Sequence, residues 1–182
     1  MRPWINLPNL LTLLRLLLVP FVIQAILHGA HATALVLFAA AALTDILDGV
    51  AARRLRLSTQ TGAYLDPIAD KCLLSGVFLA MAAAGTVPWW FVAVVFGRDL
   101  YILLGVALFM LLTPLRKFPP SVWGKISTFF QILTAVVWMA RNAFEVRVLD
   151  ALSSAILWVS LGFTVWSGLH YTWRGMQSSR AR

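Results

Sequence analysis

Asp45 and Asp48 stand three residues apart, Asp66 and Asp70 four apart, and both pairs interrupt stretches that are otherwise apolar. On a helix those spacings put the two carboxylates of each pair on one face. Left bare at the centre of a bilayer, an Asp costs roughly 2.5–3.5 kcal/mol, so four would cost on the order of 10–14 kcal/mol. A chain that keeps them must face them to one another, to water or to a cation. Two carboxylate pairs facing each other make a hard-oxygen cage suited to Mg²⁺, Mn²⁺ or Ca²⁺.

Small residues accompany the acids. Asp45, Asp48, Gly49 and Ala52 follow the i, i+3, i+4, i+7 pattern of one helical face, and Gly62, Asp66 and Asp70 do the same on the next segment. Beside a carboxylate cluster, residues without bulk let a flat or phosphorylated ligand approach the backbone. Helix–helix packing in a membrane uses small residues too.

The elements that must position these residues follow from composition. The chain has 182 residues, 60% of them hydrophobic and 12% charged, with a mean hydropathy of +0.83. That excludes an ordinary soluble domain and points to a polytopic membrane protein. Six apolar segments run near 8–28, 33–53, 61–84, 87–112, 122–140 and 149–172. Breakers fall between them: Gly29, the stretch 53–61, Gly85 to Pro88, Pro114 to Pro120 and Arg141 to Arg147. The expectation is an all-α integral membrane fold, one domain over 1–182, with six transmembrane helices and a short interfacial segment at 1–7. The first apolar run carries Arg15 and is long for a cleavable leader, so it reads as the first span.

With both termini in the cytoplasm, the inner flanks hold Arg2, Arg53, Arg54, Arg56, Arg116, Lys117, Arg174, Arg180 and Arg182, and the outer flanks only Arg141 and Arg147. Such a bias orients a membrane protein. The net charge of +8 therefore speaks of anionic lipid and not of nucleic acid. Asp45 lies eight residues before Arg53, about 12 Å inside the cytoplasmic end of its helix. The acids thus open toward soluble, charged metabolites.

Read as a string, the region is Asp45-x-x-Asp48-Gly49-x-x-Ala52-Arg53, eight residues, then Gly62-x-x-x-Asp66-x-x-x-Asp70. It resembles the signature of the CDP-alcohol phosphatidyltransferase family at every specified position. The resemblance implies six transmembrane helices, a homodimer, and displacement of CMP from a CDP-linked lipid by an alcohol hydroxyl. It implies Mg²⁺ or Mn²⁺, two ions in all, on Asp45, Asp48 and Asp66, with Asp70 as general base and possible further ligand. Gly49, Ala52 and Gly62 would let the cytidine nucleotide of CDP-diacylglycerol lie close, and Arg53 would sit near its diphosphate. The expected location is a bacterial inner membrane, with the site facing the cytoplasm.

The acceptor rests on fewer residues. Asn6 to Arg15, Gly97-Arg98-Asp99 and Gly124 to Gln131 resemble the branch with glycerol-type acceptors. Arg98-Asp99 in place of Arg-Glu, and Val106 where that branch's phosphatidylglycerophosphate synthases commonly carry Arg, favour phosphatidylglycerol as acceptor and cardiolipin as product. Glycerol 3-phosphate is the alternative. Arg98 and Lys125 are the expected acceptor-pocket cations in either case; the alternatives are an intramembrane ion pair of Arg98 with Asp99 or one of the metal-site acids, and an interfacial anchor for Lys125.

Two other classes compete. Buried carboxylates also mark ion paths, so a small divalent-cation transporter is one. Apart from Arg98-Asp99, however, the sequence shows no polar track leading outward. A polytopic prenyltransferase is the other, disfavoured by the compact two-helix motif. No Ser/His/Asp or Cys/His constellation shares a face, and Asp150 and Glu145 read as solvated on the outer side.

Overall fold

The computed structural model describes the backbone of residues 7–55, 60–112, 121–144 and 146–180, and the side chains of residues 10–44, 69–105, 108, 121–144 and 146–173. Among the described residues six helices follow one another: α1 (Leu7–Leu27), α2 (His31–Leu55), α3 (Gln60–Ala83), α4 (Trp89–Leu112), α5 (Val122–Phe144) and α6 (Arg147–Arg180). Each apolar segment expected from the sequence has become one helix. The last runs to Arg180, past the apolar part.

The turns show why the helices stop where they do. Gly29 has φ 74° and Gly85 φ 71°, a left-handed conformation that costs residues with a Cβ roughly 1–2 kcal/mol. At the end of α1, the N–H of Gly29 reaches the carbonyl of Ile26 at 3.0 Å and that of Ala30 reaches Ala25 at 2.9 Å. The end of α3 repeats this, with Gly85 to Ala82 at 3.0 Å and Thr86 to Met81 at 2.9 Å. Both close the last carbonyls of a helix in the manner of a Schellman turn. Ser121 caps α5, its Oγ accepting the N–H of Gly124 at 3.0 Å.

The chain divides into two compact units, Met1–Thr86 with Asn142–Glu145, and Val87–Arg141 with Val146–Arg182. In the first, α1 packs against both α2 and α3. Val22 and Ile26 of α1, Phe38 of α2 and Val77, Phe78 and Met81 of α3 form its buried core. Gly76 allows a close approach here, because a Cβ on it would lie 2.9 Å from Cδ1 of Ile23. In the second, α4 packs on α6. Phe130 of α5 stacks on Phe163 of α6 at 4.7 Å and 5°. At the turn between α5 and α6, Arg141 donates to Asp150 at 2.6 Å. Asp150 is therefore exposed, as expected, but ion-paired as well.

The surface is apolar and much of the buried set is polar. Leu13 and Leu17 of α1, Leu103 of α4 and Trp158 and Leu169 of α6 are exposed, while Ser127, Gln131, Ser160 and Thr164 are fully buried. In water such exposed apolar area would drive association; in lipid it is matched to the solvent. Among the described residues, three helices are long and apolar enough to cross a membrane, over Leu10–Leu27, Val122–Phe144 and Arg147–Trp173. Among the described residues, a shorter apolar stretch covers His31–Thr44 of α2.

Candidate active site

Asp45 and Asp48 lie on α2, and Asp66 and Asp70 on α3, each pair one helical turn apart. The environments of Asp45, Asp48, Gly49, Ala52, Arg53, Gly62 and Asp66 lie outside the described side chains. Among the described residues, no three His, Cys, Asp or Glu side chains gather at one point. Asp70 is described, and its setting is specific. Arg15 of α1 donates from Nη1 to Oδ1 of Asp70 at 2.6 Å, with the arginine side chain 0% and the aspartate 51% exposed.

The sequence explains how Arg15 comes to be there. It sits in an apolar run of α1, where a bare guanidinium is costly and must find an acid or a backbone carbonyl. One turn earlier Thr12 is also fully buried, so both polar residues share the face that α1 turns inward. On α3, Ala69 and Leu73 are buried beside the exposed Asp70. The carboxylate thus stands at the edge of the packed surface, half exposed and held by Arg15. Arg15 carried no site role in the sequence reading. Its signal was an arginine within an apolar span, which demands a partner.

The second expected cluster is only partly as foreseen. Arg98 donates to Oδ1 of its neighbour Asp99 at 2.7 Å, the ion pair weighed from sequence. It also reaches across to α6, where Nη2 bonds Ser167 Oγ. A Cβ placed on Gly124 would lie 3.3 Å from Arg98 Nη2 and 3.3 Å from Ser121 Oγ. The guanidinium therefore rests against the first turn of α5, and a side chain at 124 would have to displace it by a few tenths of an ångström. The hydroxyl of Tyr171 accepts the N–H of Ser121 at 3.0 Å, which ties α6 to the same point. Lys125, next to Gly124, is exposed.

Beside this junction runs a groove of about 380 Å³ between α4 and α6, lined by Gly97, Arg98, Tyr101, Gly168 and Thr172 among others. The Tyr101 and Thr172 hydroxyls bond at 2.8 Å. Nε of Arg98 is buried with no hydrogen-bond partner. A cation with an unused donor, beside the N–H-rich start of a helix, is a place where an anion is favoured.

A buried polar seam joins α5 to α6. Nε2 of Gln131 lies 3.1 Å from Thr164 Oγ1 and 3.4 Å from Ser127 Oγ, and the two hydroxyls are 3.2 Å apart. This seam of neutral side chains within the second unit adds to Arg98-Asp99 a set of buried polar residues that the sequence analysis did not single out. The signal was present: Ser153, Ser160, Thr164, Ser167 and Tyr171 recur at 7, 4, 3 and 4 residues along α6.

Comparison with known proteins agrees with the signature. The family model of the CDP-alcohol phosphatidyltransferases matches residues 5–166. The probable phosphatidylglycerophosphate synthase of Mycobacterium tuberculosis is 33% identical over 94% of this chain and 82% of its own length. The CDP-diacylglycerol–glycerol-3-phosphate 3-phosphatidyltransferase of Aquifex aeolicus is 35% identical over 94% of this chain and 97% of its own. The Bacillus subtilis protein of the same name is 31% identical over 96% and 98%. With its acid signature intact on α2 and α3, this chain belongs to the CDP-alcohol phosphatidyltransferase family.

Proposed function

We propose that the protein transfers the phosphatidyl group of CDP-diacylglycerol to glycerol 3-phosphate, releasing CMP and forming phosphatidylglycerophosphate. The observation that carries the acceptor is the set of near full-length relatives whose names specify glycerol 3-phosphate. They outweigh the preference for phosphatidylglycerol drawn from Arg98-Asp99 and Val106, since a few positions cannot stand against likeness along the whole chain. Cardiolipin formation is accordingly set aside as the main reading.

The reaction is a displacement at the β-phosphorus of the CDP-lipid. Asp70 takes the proton of the acceptor hydroxyl as its oxygen bonds phosphorus. The bond to the bridging oxygen breaks, and its electron pair leaves with CMP. The carboxylate donors of Asp45, Asp48, Asp66 and Asp70 are hard oxygens in two one-turn pairs, a donor set that fits Mg²⁺ or Mn²⁺. Two such ions would neutralise the diphosphate and the departing phosphate. By the family signature, Gly49, Ala52 and Gly62 would let the cytidine nucleotide lie close, and Arg53 would serve its diphosphate. Arg98, the start of α5 and Lys125 receive the phosphate of the acceptor. The six helices form one membrane domain with both termini and the acids on the cytoplasmic side of a bacterial inner membrane, and the protein works as a homodimer. Family membership leaves the cation-transport alternative without an observation in its favour.

An acceptor panel tests this reading. Purified protein in detergent, with CDP-diacylglycerol and Mg²⁺ or Mn²⁺, receives glycerol 3-phosphate, phosphatidylglycerol, serine or inositol phosphate, and each lipid product is weighed by mass spectrometry. Phosphatidylglycerophosphate is expected from glycerol 3-phosphate. Product from another acceptor, with glycerol 3-phosphate inert, would refute the assignment.

A further inference from the structure

We infer that Arg15 is a positioning residue for Asp70: from α1 it fixes the carboxylate that the proposed mechanism uses as base. This rests on the assignment of Asp70 and extends it to a helix outside the signature. Three observations carry it. The first is geometric, Nη1 of Arg15 lying 2.6 Å from Oδ1 of Asp70. The second is burial, with the guanidinium side chain 0% and the carboxylate side chain 51% exposed. The third is packing, because α1 lies against both acid-bearing helices.

A half-exposed Asp on a helix ordinarily samples several rotamers, and a base that wanders is a poor base. Catalytic groups must be held near their productive geometry by partners that are themselves immobile. Arg15 meets that requirement. It is fully buried, one turn from buried Thr12, on a helix whose approach to α3 is set by Gly76 against Ile23. A charge-assisted hydrogen bond of this length is also strong enough to select one rotamer. Asp70 cannot turn away without giving up that bond. Oδ1 is engaged by Arg15, and the side chain is 51% exposed, which leaves it accessible to an acceptor hydroxyl.

The reading differs from a purely structural pin in what it predicts. A pin would lower the amount of folded enzyme without changing the turnover of each folded molecule. A positioning residue lowers turnover itself and leaves substrate affinity in place. Replacement of groups that orient a reacting residue typically lowers activity about 10–100-fold.

The experiment compares Arg15→Gln, Arg15→Lys and Asp70→Asn in the full chain, purified in detergent. It measures CMP release per folded molecule, KM for CDP-diacylglycerol and for glycerol 3-phosphate, and the midpoint of thermal unfolding. Arg15→Gln is expected to lower kcat about 10–100-fold with both KM values within about threefold. Arg15→Lys keeps the charge but not the planar fork, and it is expected to fall between Arg15→Gln and wild type. If Arg15→Gln does not fold, Arg15→Lys carries the test by the same criterion, a reduced kcat at unchanged KM. Wild-type kcat in a folded Arg15 variant, or a loss confined to KM, overturns the inference. Asp70→Asn separates the two assignments. Turnover retained in Asp70→Asn removes Asp70 as base; turnover abolished there but normal in the Arg15 variants removes only the role of Arg15.

Discussion

Arg15 and Asp70 are an ion pair of unequal exposure, the guanidinium side chain 0% and the carboxylate side chain 51% exposed at a separation of 2.6 Å. The two ends of the pair are not equivalent to mutation. Removing the aspartate charge takes a charged partner from a fully buried guanidinium, whereas removing the arginine takes one from a carboxylate that is half exposed. Asp70→Asn should therefore cost about 1.5–3 kcal/mol of stability. Arg15→Met keeps the buried stem and should cost less than about 1.5 kcal/mol. Denaturant or thermal unfolding in detergent gives the comparison. Equal losses, or a larger loss in Arg15→Met, would contradict the asymmetry.

Gly124 is the place where α5 yields to Arg98. A Cβ there would meet Arg98 Nη2 and Ser121 Oγ, both at 3.3 Å, so Gly124→Ala must shift the guanidinium by a few tenths of an ångström. With Arg98 receiving the acceptor phosphate, KM for glycerol 3-phosphate should rise about tenfold, a cost near 1.4 kcal/mol, while KM for CDP-diacylglycerol stays within about twofold. Gly162→Ala on α6, where the new Cβ meets nothing within 4 Å, is the control. Steady-state kinetics with each substrate varied in turn would show the difference.

Gln131 holds the seam between α5 and α6. Its Nε2 has the hydroxyls of Thr164 and Ser127 at 3.1 and 3.4 Å, and the residue is fully buried. Gln131→Leu preserves volume and leaves the two hydroxyls able to bond each other, so it should cost about 1 kcal/mol. Gln131→Ala adds a cavity and should cost about 2–3 kcal/mol. Unfolding midpoints of the two variants would test the order.

Gly76 sets the distance between α1 and α3. In Gly76→Ala the new Cβ would crowd the tip of Ile23, at 2.9 Å, and meet Ile23 Cγ1 and Val19 Cγ1 at an ordinary 3.5 Å; Ile23 can rotate aside for less than about 1 kcal/mol. Gly76→Leu has no such escape and should cost about 1–3 kcal/mol. Because α1 also carries Arg15, Gly76→Leu should lower kcat per folded molecule, and Gly76→Ala should leave it within about twofold. CMP release normalised to folded protein gives both.

The helices were legible because membrane spans announce themselves by length and apolarity, and because Gly29 and Gly85 mark their ends by the only backbone a Cβ would resist. The acids were legible too, since carboxylates at helical spacing in an apolar stretch need a reason. The pairing of Arg15 with Asp70 was not legible. It joins residues 55 apart in the chain, and nothing in the local pattern says which acid the buried arginine meets. The link from Arg98 to Ser167 spans 69 residues and was hidden for the same reason. The hydroxyl stripe of α6 could have been read from its spacing. Serine and threonine are ordinary in membrane helices, because they can bond the carbonyl one turn back, and so they drew no notice.

The most direct test of the account is transfer of deuterated glycerol 3-phosphate into lipid, followed together with CMP release before and after removal of divalent ions. The account predicts equimolar CMP and labelled phosphatidylglycerophosphate, loss of both on chelation, and recovery of both when Mg²⁺ or Mn²⁺ is restored. Undiminished transfer in the presence of chelator, or CMP release without label entering lipid, would contradict it.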